Sequence, residues 1–498
     1  MKLFCTSALV SGIVAIASPV WADITASQVL EEWRAIAAKS GQQLIVGSES
    51  MDGDTLVLSD FSSVISLPEF QITVSTDWIN LREMGNGAVE VTMAPVSNLL
   101  GDIDGGNVVV MGHTEQENLN FIVSGETGNI ALDFVLGSYS LQLDKLTVRG
   151  RDIDANLQFN ISEMQGDYAV NSSEGTYGVL SGQYDLGGFD VSFSARPPVG
   201  DGFAVGNLSA SDLSATYTGD LISVENIEQI MTSGSGINLE FEVQTNNLQY
   251  DGQFADGGTK FAVKGSEDSS EFGMSISPLA LSYHFARMGG LINVISSEIP
   301  FPFVEMEYGE VGLDLAVPLG GTEEPQDFAV KVALRDIAIS DMIWNIFDPG
   351  ETLPRDPATA AVDVTGTVNM LANLMNIGEV ATLDGPPAMP ESLSLNELLV
   401  SFGGAEITGE GAFTFNPDNL ETFDGIPQPI GKVDLSLRGG FGLLDSLTAL
   451  GLVPTDASFG IRAMLGAFAS PGDDADHFVS TIELTPDGAV MANGQRIR

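Results

Sequence analysis

The sequence is poor in the residues that most often carry chemistry. It contains one cysteine, Cys5, and three histidines, His113, His284 and His477, which lie far apart. Because Cys5 falls in an N-terminal segment that we expect to be removed, the remaining chain has no thiol for a disulfide, a thiolate zinc site or a nucleophile. No H-E-x-x-H motif joins the histidines. We therefore predict no bound metal and no cofactor.

Basic residues are also scarce. Lys and Arg number 19 against 68 Asp and Glu, which gives a formal net charge of −49. This balance argues against nucleic acid as a partner and against binding to anionic lipid surfaces. The acids are dispersed, often in Gly-containing stretches such as Asp52–Asp54 and Asp102–Asn107, which favours solubility and ordinary β-turns. Calcium binding is the alternative, although no stretch has the order of an EF-hand loop.

Catalytic motifs are missing too. The sequence has no G-x-S-x-G, P-loop or dinucleotide fingerprint, and Ser233–Gly236 has the wrong spacing for a serine nucleophile. We predict no catalytic residue and a protein that is not an enzyme. A hydrolase that uses two converging carboxylates is the alternative, but no pattern singles out two acids.

Long apolar runs are absent after the first residues. Lys2, the apolar run Leu9–Ala17 and the small residue Ala22 are typical of a secretory signal. We predict removal after Ala22, a periplasmic location and no transmembrane span in the mature chain, because no later segment reaches about 18 apolar residues.

One octet pattern recurs along the chain. In Leu393–Val400 (LSLNELLV), apolar residues stand at positions 1, 3, 6 and 8, and a polar pair separates the halves. Each half alternates as a strand with one buried face does, and a β-bulge at the polar pair would return both halves to the same face. Further copies are Leu56–Ser63 (incomplete), Leu141–Val148, Leu208–Ala215, Met274–Leu281 and Val332–Ile339.

These copies predict a mainly β fold: a large, curved, predominantly antiparallel sheet with a repeated bulged-strand motif and short helices at its ends. Thr25–Ser40 is the clearest helix, with a Thr25/Gln28 capping box. We predict six further helices: Ser223–Met231, Tyr283–Ser297, Asp341–Phe347, Asn369–Asn376, Leu443–Val453 and Asp456–Phe468.

The predicted organisation has four parts. They are the signal (1–22), a β-rich region with the N-terminal helix (23–382), a Pro/Gly linker (383–392) and a C-terminal β region with a helix pair (393–498).

The candidate binding residues are apolar and lie in the C-terminal region. They are the octet positions and one face of each paired helix, which are Leu393, Leu395, Leu398, Val400, Leu443, Leu447, Leu450, Met464, Leu465 and Phe468. The first interpretation is a site for an apolar ligand. The alternative is ordinary core or an end cap of the sheet.

Several stretches resemble a known family. Asp341–Ala358 (DMIWNIFDPGETLPRDPA), Leu443–Pro454 (LLDSLTALGLVP) and Leu484–Ile497 (LTPDGAVMANGQRI) resemble the uncharacterised alphaproteobacterial envelope family known as domain of unknown function 2125. Leu393–Arg498 is also similar, more distantly, to AsmA-like envelope proteins. Those proteins are long β-sheets with an apolar concave face, implicated in moving or accommodating lipids, although we expect this chain to depart from them by having no N-terminal membrane anchor.

The expected function is that of an exported, soluble cell-envelope protein whose sheet accepts lipid or fatty acid on its inner face. The alternative is a scaffold that binds another envelope protein and has a filled core without a ligand. A large apolar cavity or groove would distinguish the first from the second.

Overall fold

The described residues form one antiparallel sheet of 24 strands. The computed structural model describes residues 23–39, 41–67, 69–172, 178–220, 237–320, 324–383, 385–423 and 425–498. It is 66% strand and 11% helical, which confirms the predicted fold class. The described helices are short. They are α1 (Ala26–Lys39), α2 (Asp341–Phe347), α3 (Ile377–Val380), α4 (Gly440–Ala449) and α5 (Thr455–Phe468).

The strands follow one another in a long meander. Their bounds are β1 (Gln42–Asp52), β2 (Thr55–Leu67), β3 (Phe70–Glu83), β4 (Val89–Met93), β5 (Val96–Ile103), β6 (Val108–Glu117), β7 (Asn120–Glu126), β8 (Asn129–Val148), β9 (Arg151–Asn171), β10 (Val179–Arg196), β11 (Phe203–Asp220), β12 (Leu239–Asp256), β13 (Thr259–Ile276), β14 (Ala280–Ser296), β15 (Val304–Pro318), β16 (Gln326–Ile339), β17 (Ala358–Met370), β18 (Ala388–Phe402), β19 (Ala405–Asn416), β20 (Gln428–Arg438), β21 (Ser470–Pro471), β22 (His477–Leu484), β23 (Val490–Ala492) and β24 (Gln495–Arg496).

Hydrogen bonding links almost every strand to the next one along the chain. There are three exceptions. Strands β4 and β5 both pair with β3, strands β6 and β7 both pair with β8, and strands β20 and β21 both pair with β22. Within the described residues, β1 pairs with β2 alone and β24 with β23 alone. The ladder therefore has two free edges. It also runs through the predicted linker, because β17 pairs directly with β18.

The N-terminal helix packs on one end of the sheet. The predicted capping box is confirmed, since the Thr25 N–H donates to Gln28 Oε1 at 2.9 Å and the Gln28 N–H donates to Thr25 Oγ1 at 3.3 Å. Val29 and Leu30 of α1 are buried against the sheet. The main cluster of buried apolar residues lies at this end of the sheet. Its members are Ile24, Ala26, Val29, Leu30, Leu56, Leu58, Ile79, Leu81, Val89, Val91, Val123, Ile130, Leu132 and Val170.

The octet pattern coincides with breaks in strand register. The ladder shifts between Leu395 and Leu398, between Leu334 and Ile337, and on either side of Ser211. A further shift lies between Gln142 and Leu146. These four copies are bulged as predicted. Met274–Leu281 is not, because it spans the hairpin between β13 and β14.

A line of unusual backbone crosses the sheet, and we call it the crease. It consists of positions where an Asp, Glu or Asn with positive φ stands opposite a glycine or, in one case, an aspartate of a neighbouring strand. The pairs are Gly47/Asp60, Gly137/Glu163, Gly187/Asp212, Asn247/Asp268 and Gly309/Asp336. Glu163 has φ 52° and Asp336 has φ 56°. Each such residue moves the alternation of its strand by one position. Apolar side chains on both sides of the crease therefore stay on the same face.

Strand β9 shows this effect directly. Before Glu163 its apolar residues are Leu157, Phe159 and Ile161, and after Glu163 they are Met164, Tyr168 and Val170. The first set has odd numbers, and the second set has even ones. Without the intervening positive φ, one set would face solvent on the opposite side of the sheet.

Some local predictions are wrong. Tyr283–Ser297 is not a helix but most of β14, which pairs with β13 and β15 over its length. Asn369–Asn376 is not helical either, since β17 ends at Met370 and the helical turn is Ile377–Val380. The second half of the predicted linker belongs to β18. The predicted signal, 1–22, and the helix Ser223–Met231 lie outside the described residues.

Candidate apolar binding face

Rows of apolar side chains cross the sheet from strand to strand. One row consists of successive register partners, which are Val243, Phe272, Phe285, Leu313, Val332, Val362 and Leu398. A parallel row is Phe241, Met274, Tyr283, Leu315, Val330, Val364 and Leu395. The rows arise because each strand alternates and its hairpin keeps the register. We call the surface that they form the apolar face.

Within the described residues, no element covers most of the apolar face. At the end under α1, Leu58 and Leu81 are fully buried, whereas Leu313 is 37% exposed and Val332 is 39% exposed. Among the described elements, the main contacts of the strands from β9 to β17 are with their ladder neighbours. Large apolar side chains in a filled core are seldom this exposed, and a contiguous exposed set marks an interaction surface.

A cavity of about 410 Å³ lies where α1 meets the sheet. Trp33 and Ile36 line it from the helix, and Phe61, Tyr168 and Tyr184 line it from the strands. Burial raises the pKa of Tyr168 to about 12, and Tyr184 contributes in the same direction. Both groups are therefore neutral at physiological pH. Sequence reasoning missed this site, because the residues come from distant strands, although the wide apolar face of α1 was a signal.

A second, smaller cavity of about 220 Å³ lies beneath the C-terminal helix pair. The predicted binding residues Val400, Leu443, Leu447 and Leu465 all line it, together with residues of β19 and β20 such as Ile407. The structure thus brings together four residues that are up to 65 positions apart in the chain.

The other predicted binding residues lie elsewhere. Leu393, Leu395 and Leu398 are on β18, where the last two belong to the apolar rows. Met464 is 60% exposed and Phe468 is 42% exposed, and neither lines the cavity. Leu450 follows the last residue of α4 and does not line the cavity either. Helical spacing identified the apolar residues of α5 but not which of them contact the sheet.

The three histidines do not meet. His113 Nδ1 lies 2.8 Å from Asp144, and His284 lies between Asp314 and Glu271 on β15 and β13. Burial alone would lower the pKa of His284, but hydrogen bonds to both carboxylates outweigh it and raise that pKa. Each histidine therefore has its own local partners.

His477 lies beside Ser436, but the hydrogen bond between them runs in the wrong direction for His477 to act as a base. Its Nδ1 accepts a hydrogen bond from the Asp473 backbone N–H at 3.0 Å, so in the neutral ring Nε2 carries the proton. Nε2 lies 3.0 Å from Ser436 Oγ and therefore donates to it. A catalytic base would have to accept the serine proton instead.

A polar cluster interrupts the apolar face at the crease. It comprises Glu267, Ser270, Arg287 and Tyr308. Sequence reasoning missed it, although Arg287 occupies the next alternating position after Tyr283 and Phe285. A charged residue in an otherwise apolar alternation was the available signal.

Within the described ranges, no group of three or more His, Cys, Asp or Glu side chains is arranged to hold a metal ion. No helix in the described part of the chain has the length and apolar character needed to cross a membrane.

Comparison of the chain with family models, characterised proteins and solved structures found no match.

Proposed function

We propose that this is an exported, non-catalytic protein of the cell envelope that accommodates lipid acyl chains or fatty acids on its apolar face. The observation that supports this most strongly is the pair of apolar rows that continue from β12 to β18 while their residues stay partly exposed. Hydrocarbon chains need contact area rather than specific polar partners, and the rows supply such area.

The dimensions of the rows suit hydrocarbon chains. Neighbouring strands lie about 4.8 Å apart, so the six steps from β12 to β18 span roughly 29 Å. The hydrocarbon core of a bilayer, which contains two opposed acyl chains, is about 30 Å thick. Each methylene group that leaves water for such a surface contributes about 0.8 kcal/mol. A long chain bound along the rows would therefore be held firmly without any hydrogen bond.

The acidic composition fits the same function. A protein with an uncovered apolar face tends to self-associate, and a formal net charge of −49 opposes such association by repulsion.

The first experiment is native mass spectrometry of the protein purified from periplasm, followed by organic extraction. We expect a phospholipid or fatty-acid adduct, and uptake of a fluorescent fatty acid by the delipidated protein. Ile407 pairs with Val400, which lies on the same side of β18 as Leu398, so Ile407→Glu places a charge at the β19 margin of the apolar face and should weaken uptake at least tenfold. Thr408→Glu is the matched control, because Thr408 is the next residue of β19 and faces the other side.

Two results would refute the proposal. One is a clean mass without any adduct, together with no uptake of the probe. The other is an equal loss of uptake in Ile407→Glu and Thr408→Glu, which would show that the apolar face is not the binding surface.

A scaffold that binds another envelope protein is the second candidate. The free edge of β1 favours it, because an unpaired strand edge can take up a strand of a partner. A clean mass with co-purification of one envelope protein would favour this role.

A further inference from the structure

One ion pair is buried in the apolar face, where the crease crosses β13 and β14. The Glu267 side chain is 0% exposed, and its Oε1 accepts a hydrogen bond from Arg287 Nη1 at 2.7 Å. Its Oε2 accepts a second one from Ser270 Oγ at 2.6 Å. Burying the Glu267 carboxylate carries a desolvation cost, which the pairing offsets only in part. If this position served only to pack the crease, apolar side chains would fill it equally well.

The ion pair with Glu267 leaves some N–H donors of the Arg287 guanidinium without an acceptor among the described residues. The Arg287 side chain is 39% exposed, so part of it reaches the open apolar face. Its Nε is buried and makes no hydrogen bond with any described residue. The Phe285 ring centroid lies 5.3 Å from Arg287 Cζ and fixes the plane of the group beside the apolar row.

Tyr308 supplies a second donor at the same place. It is 5% exposed, and its hydroxyl lies near the Glu267 carboxylate without forming a hydrogen bond of normal geometry with any described residue. Burial, followed by the nearby Glu267 carboxylate, raises the pKa of Tyr308. The hydroxyl is therefore protonated and able to donate. Glu267 satisfies this donor only in part, since no bond of normal geometry joins the two groups, and the hydroxyl lies close to Arg287.

The location of Arg287 is unique among the described strands from β10 to β22. It is the only basic residue in phase with the apolar rows there, since Lys331 and Arg335 of β16 pair with acids on the opposite face. An anionic group placed against Arg287 would lie beside Phe272 and Phe285, which belong to the first apolar row. Charge and apolar surface are thus adjacent, as an amphiphile requires.

We propose that Arg287 and Tyr308 bind the anionic headgroup, a carboxylate or a phosphate, of an amphiphile whose chain lies along the apolar rows. This inference rests on the proposed function and specifies one end of its ligand. Arg is suited to the task, because its planar fork matches the oxygens of both headgroups. Glu267 then acts as a positioning residue, since it orients the guanidinium without reaching the surface.

The test compares an acid with its uncharged ester. The probes are 11-(dansylamino)undecanoic acid and its methyl ester, titrated into the full-length delipidated protein. We expect the acid to bind about tenfold tighter, a difference of about 1.4 kcal/mol. Arg287→Gln should abolish this preference and leave the ester affinity unchanged. Arg335→Gln should retain it, because Arg335 is also paired with two glutamates but faces the other side.

Two further variants separate recognition from folding. Glu267→Gln/Arg287→Gln removes both charges, so it avoids an unpaired buried carboxylate and should behave as Arg287→Gln does. Glu267→Gln alone leaves the guanidinium uncompensated and should strengthen acid binding. An ion pair with a purely structural role would change stability in these variants but not the ratio of acid to ester affinity.

Each adverse outcome refutes a different statement. Equal binding of acid and ester to the wild-type protein would overturn the headgroup site and leave the proposed function standing. Binding of neither probe would overturn both. Displacement of the acid by inorganic phosphate alone would show a site for a free anion and overturn the amphiphile assignment. Displacement by dioleoyl phosphatidic acid, with none by inorganic phosphate, would support a phosphate headgroup.

Discussion

Gly290 lies directly beneath the ring of Tyr308, and this contact allows a sharp test of the packing at the crease. A Cβ built on Gly290 would fall within the Tyr308 ring, and its nearest atoms all belong to that ring. Tyr308 is 5% exposed, so a displaced ring would have to move against its neighbours or out into solvent. Gly290→Ala must therefore displace either the ring or the β14 backbone.

The size of the effect follows from what must move. Expelling an aromatic ring that buries roughly 150–250 Å² would cost about 4–6 kcal/mol at about 25 cal/mol per Å². A local shift that relieves overpacking costs about 1–3 kcal/mol. We expect Gly290→Ala to lower the free energy of unfolding by about 2–4 kcal/mol, between these two limits.

Urea unfolding monitored by circular dichroism measures this loss. Gly252→Ala is the control, because Gly252 is also inside a strand but its added Cβ would lie 3.6 Å from Val263, an ordinary contact. We expect it to change stability by less than about 1 kcal/mol. In a Tyr308→Ala background the ring is absent, so Gly290→Ala should add almost nothing. An equal loss in both backgrounds would refute the packing explanation.

Three further predictions concern other parts of the sheet. Leu58→Ala should destabilise the fold by about 2–5 kcal/mol in urea unfolding, whereas Leu313→Ala should cost less than about 1 kcal/mol because Leu313 is already 37% exposed; equal losses would mean that the apolar face is filled. Asp336→Ala should cost about 1 kcal/mol and Asp336→Gly almost nothing, because Asp336 has φ 56°; equal effects would exclude backbone conformation as the cause. The raised pKa of His284 predicts that its stabilising contribution is full below the unfolded-state pKa of about 6.5 and is lost as the pH rises through the folded-state pKa. The difference in urea midpoint between wild type and His284→Gln should therefore be larger at pH 5.5 than at pH 9, and a difference that grows with pH would contradict it.

The sequence predicted the fold class because alternation is a local signal. In Leu393–Val400 the apolar positions and the polar pair already specify two half-strands and a bulge, and the register shift is found between Leu395 and Leu398. The capping box of α1 is equally local. The order of pairing was also accessible in principle, since short turns make neighbours of consecutive strands.

The binding face could be predicted only in part, because it depends on which residues become register partners. Val400 and Leu465 lie on different elements, and only the packing of α5 on the sheet shows that they line one cavity. The same packing leaves Met464 exposed. Helical periodicity gives the apolar stripe of α5 but not its rotation relative to the sheet.

The crease explains the one large error in secondary structure and three of the octets, those that contain Asp60, Asp212 and Asp336. A residue with positive φ changes the phase of a strand, so the apolar positions on its two sides differ by an odd number. In β14 the apolar residues Tyr283 and Phe285 precede Gly289, and Ile292 and Val294 follow it. The resulting mixture of odd and even positions imitates the three- and four-residue spacing of a helix. Where the phase change coincides with a polar pair, as at Asp336, the same event appears as an octet. A sequence search that allows one phase change per strand, placed at Asp, Asn or Gly, would therefore recover β14 and the continuous apolar face together.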